Sequence, residues 1–171
     1  FVRAECILRE DAFKMARILK ENIEEFKDCY LLAVAVQGGI RETRRIKGIH
    51  TVTAQEYVNA FRYPDSVSRG AHPIDIHVAS GPAENVTFLQ EPAYVPYRAL
   101  IPPTHSNLIV AGRCLSADKT AFASLRVQAS CMDMGQAAGV AAALASAAGV
   151  SVQNVDTDQL VETLRAKGSV I

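Results

Sequence analysis

The sequence predicts an α+β chain with partial α/β character, and three observations carry that expectation. Leu8, Ala12, Met15, Ile18, Leu19, Ile23 and Phe26 recur at helical spacing. Short apolar or alternating runs closed by Gly or Pro follow through residue 100, as a β-rich region requires. An apolar run at 107–111 then ends on Gly112 and is followed, after about a dozen irregular residues, by a long Ala-rich stretch. Strand, glycine turn and helix in that order describe a parallel-sheet unit.

Taken in order, the first element is an amphipathic helix through Phe26, with charged residues on its other face. Residues 30–36 (YLLAVAV) predict a buried strand ended by Gly38 and Gly39. A charge cluster at 41–47 comes next, and 46–53 alternates imperfectly around Gly48 as a strand pair or bulged strand would. Thr53 and Glu56 have capping-box spacing and start a short helix through Phe61, stopped by Pro64. Residues 74–78 and 86–89 are short candidate strands. Pro92, Pro96, Pro102 and Pro103 forbid a helix and favour an extended path between two structural units. The expected division is therefore 1–100, a β-rich region with its leading helix, 101–150, a strand–turn–helix, and 151–171, a last amphipathic helix. The long helix spans about 127–148, with eight alanines between Ala137 and Ala148, and Gly149 caps it. Asp156 or Thr157 caps the final helix, which carries Leu160, Val161 and Leu164 and stops at Gly168.

Composition removes several classes of function. The 171 residues carry 18 Lys+Arg against 18 Asp+Glu, so the chain lacks the surplus cation that displaces counterions from nucleic acid. At 49% hydrophobic residues and zero net charge it is not a disordered chain either. Cys6, Cys29, Cys114 and Cys131 are too far apart for a CxxC or zinc knuckle, so free thiols are expected. The one long uncharged stretch, 134–152, is mostly Ala and Gly with Gln136 inside it, far less lipophilic than the Leu, Ile and Phe run a membrane span requires. No signal segment opens the chain, and a start at Phe1 instead of Met suggests a natural terminus upstream; a cytoplasmic location is favoured. No His pair has metal-ligand spacing on a helix, so no metal site is expected, and no GxSxG elbow supports hydrolase chemistry.

The wording of several segments is more specific. VPYRALIP at 95–102, NLIVAGRC at 107–114, SLRV at 124–127 and CMDMGQAAG at 131–139 resemble the carboxy-terminal part of a family of FAD-dependent oxidoreductases in the glutathione reductase and fumarate reductase superfamily. GIRETRRI at 39–46 and PIDIH at 73–77 are similar to its members in the expected order, so the resemblance spans roughly residues 33–150. It implies a substrate-side β-rich region joined to the last strand and long helix of a Rossmann-like FAD domain. The pyrophosphate-holding GxGxxG is absent from these residues. The resemblance therefore implies a carboxy-terminal portion whose partner is an amino-terminal FAD-binding half, with FAD held weakly or not at all by this portion alone and self-association through the uncovered surface.

Site residues follow from the same resemblance. The Gly112–Arg113 turn stands where related flavoproteins place a glycine and an acidic residue against the ribityl chain; Arg113 instead is placed to pair with pyrophosphate. Ser124 belongs to the cofactor-side motif. Arg126, Val127, Gln128 and Ala129 fall where the final helix starts against the pyrimidine edge of the isoalloxazine, and free helix amides with a nearby guanidinium would favour reduced flavin. Hydride transfer at the flavin needs a proton-moving group and a cation for the substrate of unknown identity, a small organic molecule, and Arg44, Arg45, His77 and Arg98 are the catalytic candidates. Plainer roles compete: an ion-paired face for the Arg cluster, a hydrogen-bonded structural His77, a bridging Arg126. Gly135 and Gly139 read as helix-packing residues and Cys131 as a packing residue. Against the enzyme reading stands a non-catalytic binding or interaction domain that keeps the scaffold.

Overall fold

The computed structural model describes residues 2–76 and 85–171. The chain forms two compact units, Phe1–Ile40 and Arg41–Ile171.

In the first unit the helical spacing produces α1 (Val2–Asn22), followed by a 3-10 turn at Glu24–Phe26. The later segment is tied back to the helix, because Glu5 Oε1 accepts from the Gly38 amide at 2.6 Å and Arg9 Nη2 donates to the Val36 carbonyl at 3.2 Å. No residue of α1 is buried, and Leu8, Phe13, Met15 and Ile18 stay exposed. Residues 30–36 do not form the expected buried strand; Leu32 and Val36 are 82% and 94% exposed. A strand's amides and carbonyls need a ladder partner, and none of the described residues supplies one here.

The second unit holds the core. Its first stretch is extended and bonded on two sides: the Ile49 amide donates to the Ile101 carbonyl at 2.8 Å and the Val52 amide to the Ser116 carbonyl at 3.0 Å. Only Val52 and Ala117 form a regular parallel bridge, so the strand pair expected at 46–53 reduces to a single kinked segment. Gly48 explains the kink, since a Cβ there would lie 2.8 Å from the Ser116 Cβ. The capping box is present as the spacing requires: the Glu56 amide donates to Thr53 Oγ1 at 3.3 Å and Glu56 Oε2 accepts from the Thr53 amide at 2.9 Å, opening α2 (Ala54–Val58).

Two small antiparallel sheets follow. β1 (Ser66–Gly70) pairs with β4 (Ala93–Pro96), with a bulge between Ser66 and Ser68, and β2 (Ile74–Ile76) pairs with β3 (Asn85–Thr87). The last two match the weak alternation in the sequence; the end of the first run, Val78, lies outside the described residues. The proline-bearing stretch passes from β4 through a 3-10 turn at Tyr97–Leu100 and remains within the second unit, with Leu100 and Ile101 in the core. Residues 107–111, expected as a buried strand, form none. Leu108 is exposed, and the Val110 amide bonds to the Leu100 carbonyl at 2.9 Å. No parallel sheet exists among the described residues, and the observed class is α+β with small antiparallel sheets.

Helices build the rest. α3 (Lys119–Leu125) occupies a stretch expected to be irregular. Its N-cap is Asp118, which accepts from the Ala121 amide at 2.8 Å and also from the Ala54 amide at 2.6 Å, so one carboxylate serves the starts of α3 and α2. α4 (Gln128–Ala148) and α5 (Thr157–Ala166) begin and end where the sequence places them, with Gly149 left-handed at φ +66° and Asp156 accepting from the Asp158 and Gln159 amides. Ser130, Met134, Ala137, Ala141 and Ala145 form the buried face of α4, and the small serine and alanines among them let β1 and α5 pack closely against it. Gly135 and Gly139 are on the exposed side, with nothing within 4 Å of an added Cβ. Within this unit the alanines, rather than these glycines, make the close approach.

Candidate functional site

The α3–α4 junction has no spare residue. Arg126 caps the end of α3, its amide donating to the Phe122 carbonyl at 3.1 Å, and Val127 is the N-cap of α4. A valine cannot accept a hydrogen bond through its side chain, so this 21-residue helix starts without a side-chain cap. The first intrahelical bond at this end is Cys131 amide to Val127 carbonyl at 3.0 Å, which leaves the amides of Gln128, Ala129 and Ser130 without an acceptor among the described residues. Gln128 and Ala129 are exposed and Ser130 is buried. The positive end of the helix dipole is thus bare on one side.

Against the first turn of α4 lies the 3-10 turn Gly112–Cys114. Gly112 has φ +75°, which favours glycine, and a Cβ on it would sit 3.6 Å from Cys131 Sγ. Arg113 is exposed on the same turn. Burial pushes the Cys131 thiol above its ordinary pKa and Cys114 adds to the rise, while Arg113 opposes it. A thiol shifted in that direction is not an activated nucleophile.

Arg126 reaches away from the amides. Its Nη1 donates to Glu42 Oε2 at 3.1 Å and its Nη2 to the Asp75 carbonyl at 2.9 Å, and its side chain is 12% exposed. Arg45 Nη1 takes the other oxygen of Glu42 at 3.1 Å, with its guanidinium 4.8 Å from the centre of the Phe122 ring. Arg41, Glu42, Ile76, Lys119, Ala123 and Arg126 line a cleft of ≈ 70 Å³. That is well below the roughly 300–1,000 Å³ typical of small-molecule sites.

The remaining candidates are dispersed. Ser124 is fully buried; its Oγ donates to the His72 carbonyl at 2.5 Å and shares a hydrogen bond with the Tyr57 hydroxyl at 2.9 Å, so its side chain is committed to the core. Arg98 forms a bidentate pair with Asp65, Nε to Oδ2 at 3.0 Å and Nη2 to Oδ1 at 3.1 Å, on a separate cleft with Ile49, Tyr97 and Gln153. Arg44 is exposed and makes no ion pair among the described residues. His77 lies outside the described residues. The structure therefore groups Gly112, Arg113, Val127, Gln128 and Ala129 at one helix end, joins Arg45 and Arg126 through Glu42, and sets Arg98 and Ser124 elsewhere.

Glu42, Asp65 and Asp118 are the partners that sequence reasoning missed. Asp118 had a readable signal, an Asp directly before an apolar helical segment. Asp65 had none, because its partner is 33 positions away; the pairing of Glu42 with Arg45 falls within the ion-paired face weighed for the Arg cluster, but its link to Arg126, 84 positions away, had no signal.

An α+β unit with a bare helix end beside a left-handed glycine turn is a scaffold suited to an anionic cofactor or ligand. The chain belongs to the FAD dependent oxidoreductase family, whose model matches residues 1–164. No curated protein and no solved structure matches it. Family membership supports a general oxidoreductase role with FAD as the associated cofactor. No helix among the described residues is long and apolar enough to cross a membrane.

Proposed function

We propose that the chain forms one wall of the FAD site of an oxidoreductase, with the start of α4 against the flavin and the Gly112–Arg113 turn toward the ribityl and pyrophosphate portion. The pyrophosphate-binding glycine loop would lie in polypeptide beyond these residues, an amino-terminal FAD-binding half, because no GxGxxG occurs in them. The observation that carries this reading is the uncapped start of α4 packed beside Gly112. FAD, when bound, supplies two-electron transfer to or from a small organic substrate. The amides of Gln128 and Ala129 would stabilise negative charge, and Arg113 would pair with phosphate oxygens. Arg126 acts as a positioning residue, holding Glu42 and the Asp75 main chain at the junction from which α4 departs. Val127 contributes by what it lacks, a side-chain acceptor that would occupy the amides.

Val127→Asp tests the proposal with opposite signs on two readouts. The backbone at Val127, φ −79° and ψ 158°, suits an N-cap, so the new carboxylate should accept from the free amides and stabilise the fold by about 1 kcal/mol. The same carboxylate should weaken FAD binding, measured by flavin fluorescence on titration of the full-length protein. Undiminished FAD affinity in a stabilised variant would overturn the assignment.

A further inference from the structure

We infer that a second groove, formed by the end of β1, the α4 segment at Asp133 and Gln136, and the turn after α5, binds a small ligand through an oxyanion group, a carboxylate or phosphate. Arg69, Asp133, Gln136, Lys167 and Ser169 are among its lining residues, and its volume is ≈ 520 Å³. That falls within the roughly 300–1,000 Å³ typical of small-molecule sites. It shares no lining residue with the cleft at Arg126.

Arg69 is the centre of the argument. Its guanidinium carbon lies 5.7 Å from the centre of the Tyr94 ring, which orients it, and it forms no ion pair among the described residues. Its Nε is buried without a hydrogen-bond partner. Arg69 is half-buried and lines the groove, so the rest of its guanidinium, with no counter-ion among the described residues, is placed to pair with an oxyanion there. A second guanidinium, that of Arg62, lies 5.4 Å from the same ring centre, and it too makes no ion pair among the described residues, although it does not line the groove.

The opposite wall adds another cation. Lys167 follows the last residue of α5 and makes no ion pair among the described residues, and Gly168, at φ +88°, turns the chain so that the Ser169 amide bonds back to the Leu164 carbonyl at 3.0 Å. That turn brings Ser169 to the groove. Asp133 is the one acidic side chain among the described lining residues, accepting from Ser68 Oγ at 3.4 Å. Two cations facing one carboxylate select an anion, and the carboxylate selects one that also carries a hydroxyl or amine donor. A hydroxycarboxylate or a hydroxyl-bearing phosphate ester has both.

Titration of the purified protein with citrate and, separately, with inorganic phosphate at constant ionic strength tests the site through the rise in unfolding midpoint and through Kd. Citrate should bind, and Lys167→Met and Arg69→Met should each weaken it by at least about tenfold. Lys167→Met removes an exposed charge after a helix end and keeps the test intact should Arg69→Met fail to fold. Phosphate binding more tightly than citrate would identify phosphate as the preferred group, and binding of citrate alone would identify carboxylate. No binding of either probe, or binding unchanged in Lys167→Met, would overturn the inference.

Discussion

Glu42 gives one carboxylate oxygen to Arg126 and the other to Arg45, each at 3.1 Å, so a single acid holds two of the candidate arginines. Glu42→Gln should destabilise the protein by about 1 kcal/mol, a value kept low because Glu42 remains one-third exposed. In FAD-loaded protein the same change should raise the flavin's reduction potential by freeing Arg126 charge, whereas Arg126→Ala should lower it. Potentiometric titration measures both, and a shift of the same sign in the two variants would remove this pair from the flavin's surroundings.

Arg98 and Asp65 form a different kind of pair. Asp65 is 7% exposed on its side chain and also accepts from the Arg98 amide at 3.2 Å, while the Arg98 side chain is 46% exposed. Arg98→Ala removes both side-chain hydrogen bonds to a nearly buried carboxylate, leaving the residue 98 amide, and should cost about 2 kcal/mol in urea unfolding. A loss of turnover without that loss of stability would instead support the catalytic assignment of Arg98.

The glycines differ in sign. Gly112→Ala should cost about 1–2 kcal/mol, because φ +75° strains any L side chain while the Cys131 contact at 3.6 Å is ordinary. Gly139→Ala should stabilise by up to about 1 kcal/mol, since the position is helical and open. Denaturant midpoints for the two variants should therefore move in opposite directions.

Alkaline pH should weaken the fold through its buried phenols. Burial pushes Tyr97 up to about 12 from 10.0, and its hydroxyl donates to the Val152 carbonyl at 2.8 Å. The neutral form is favoured by the folded state, so the contribution is complete below pH 10 and declines as pH rises toward about 12. Tyr97→Phe should flatten that decline in stability measured across the same range.

Helices were readable where local chemistry decides them. Thr53 and Glu56 fix the start of α2, Asp156 that of α5, and Gly149 the end of α4, all through bonds spanning a few residues. The expected strands at 30–36 and 107–111 were not realised, since apolar content cannot supply a ladder partner. The helix-start segment at Val127–Ala129 was readable from motif wording, but the partners of Arg126 and Arg98 were not. Those are tertiary meetings with Glu42 and Asp65, invisible to periodicity.

Because Arg126 and Val127 abut, the residue that caps the end of α3 runs directly into the one that caps the start of α4. Asp118, clamping the far end of α3 to the Ala54 amide, therefore helps set the direction in which the amides of Gln128 and Ala129 aim. Evolution could retune the proposed flavin's electronics from that remote clamp while leaving every contacting residue untouched.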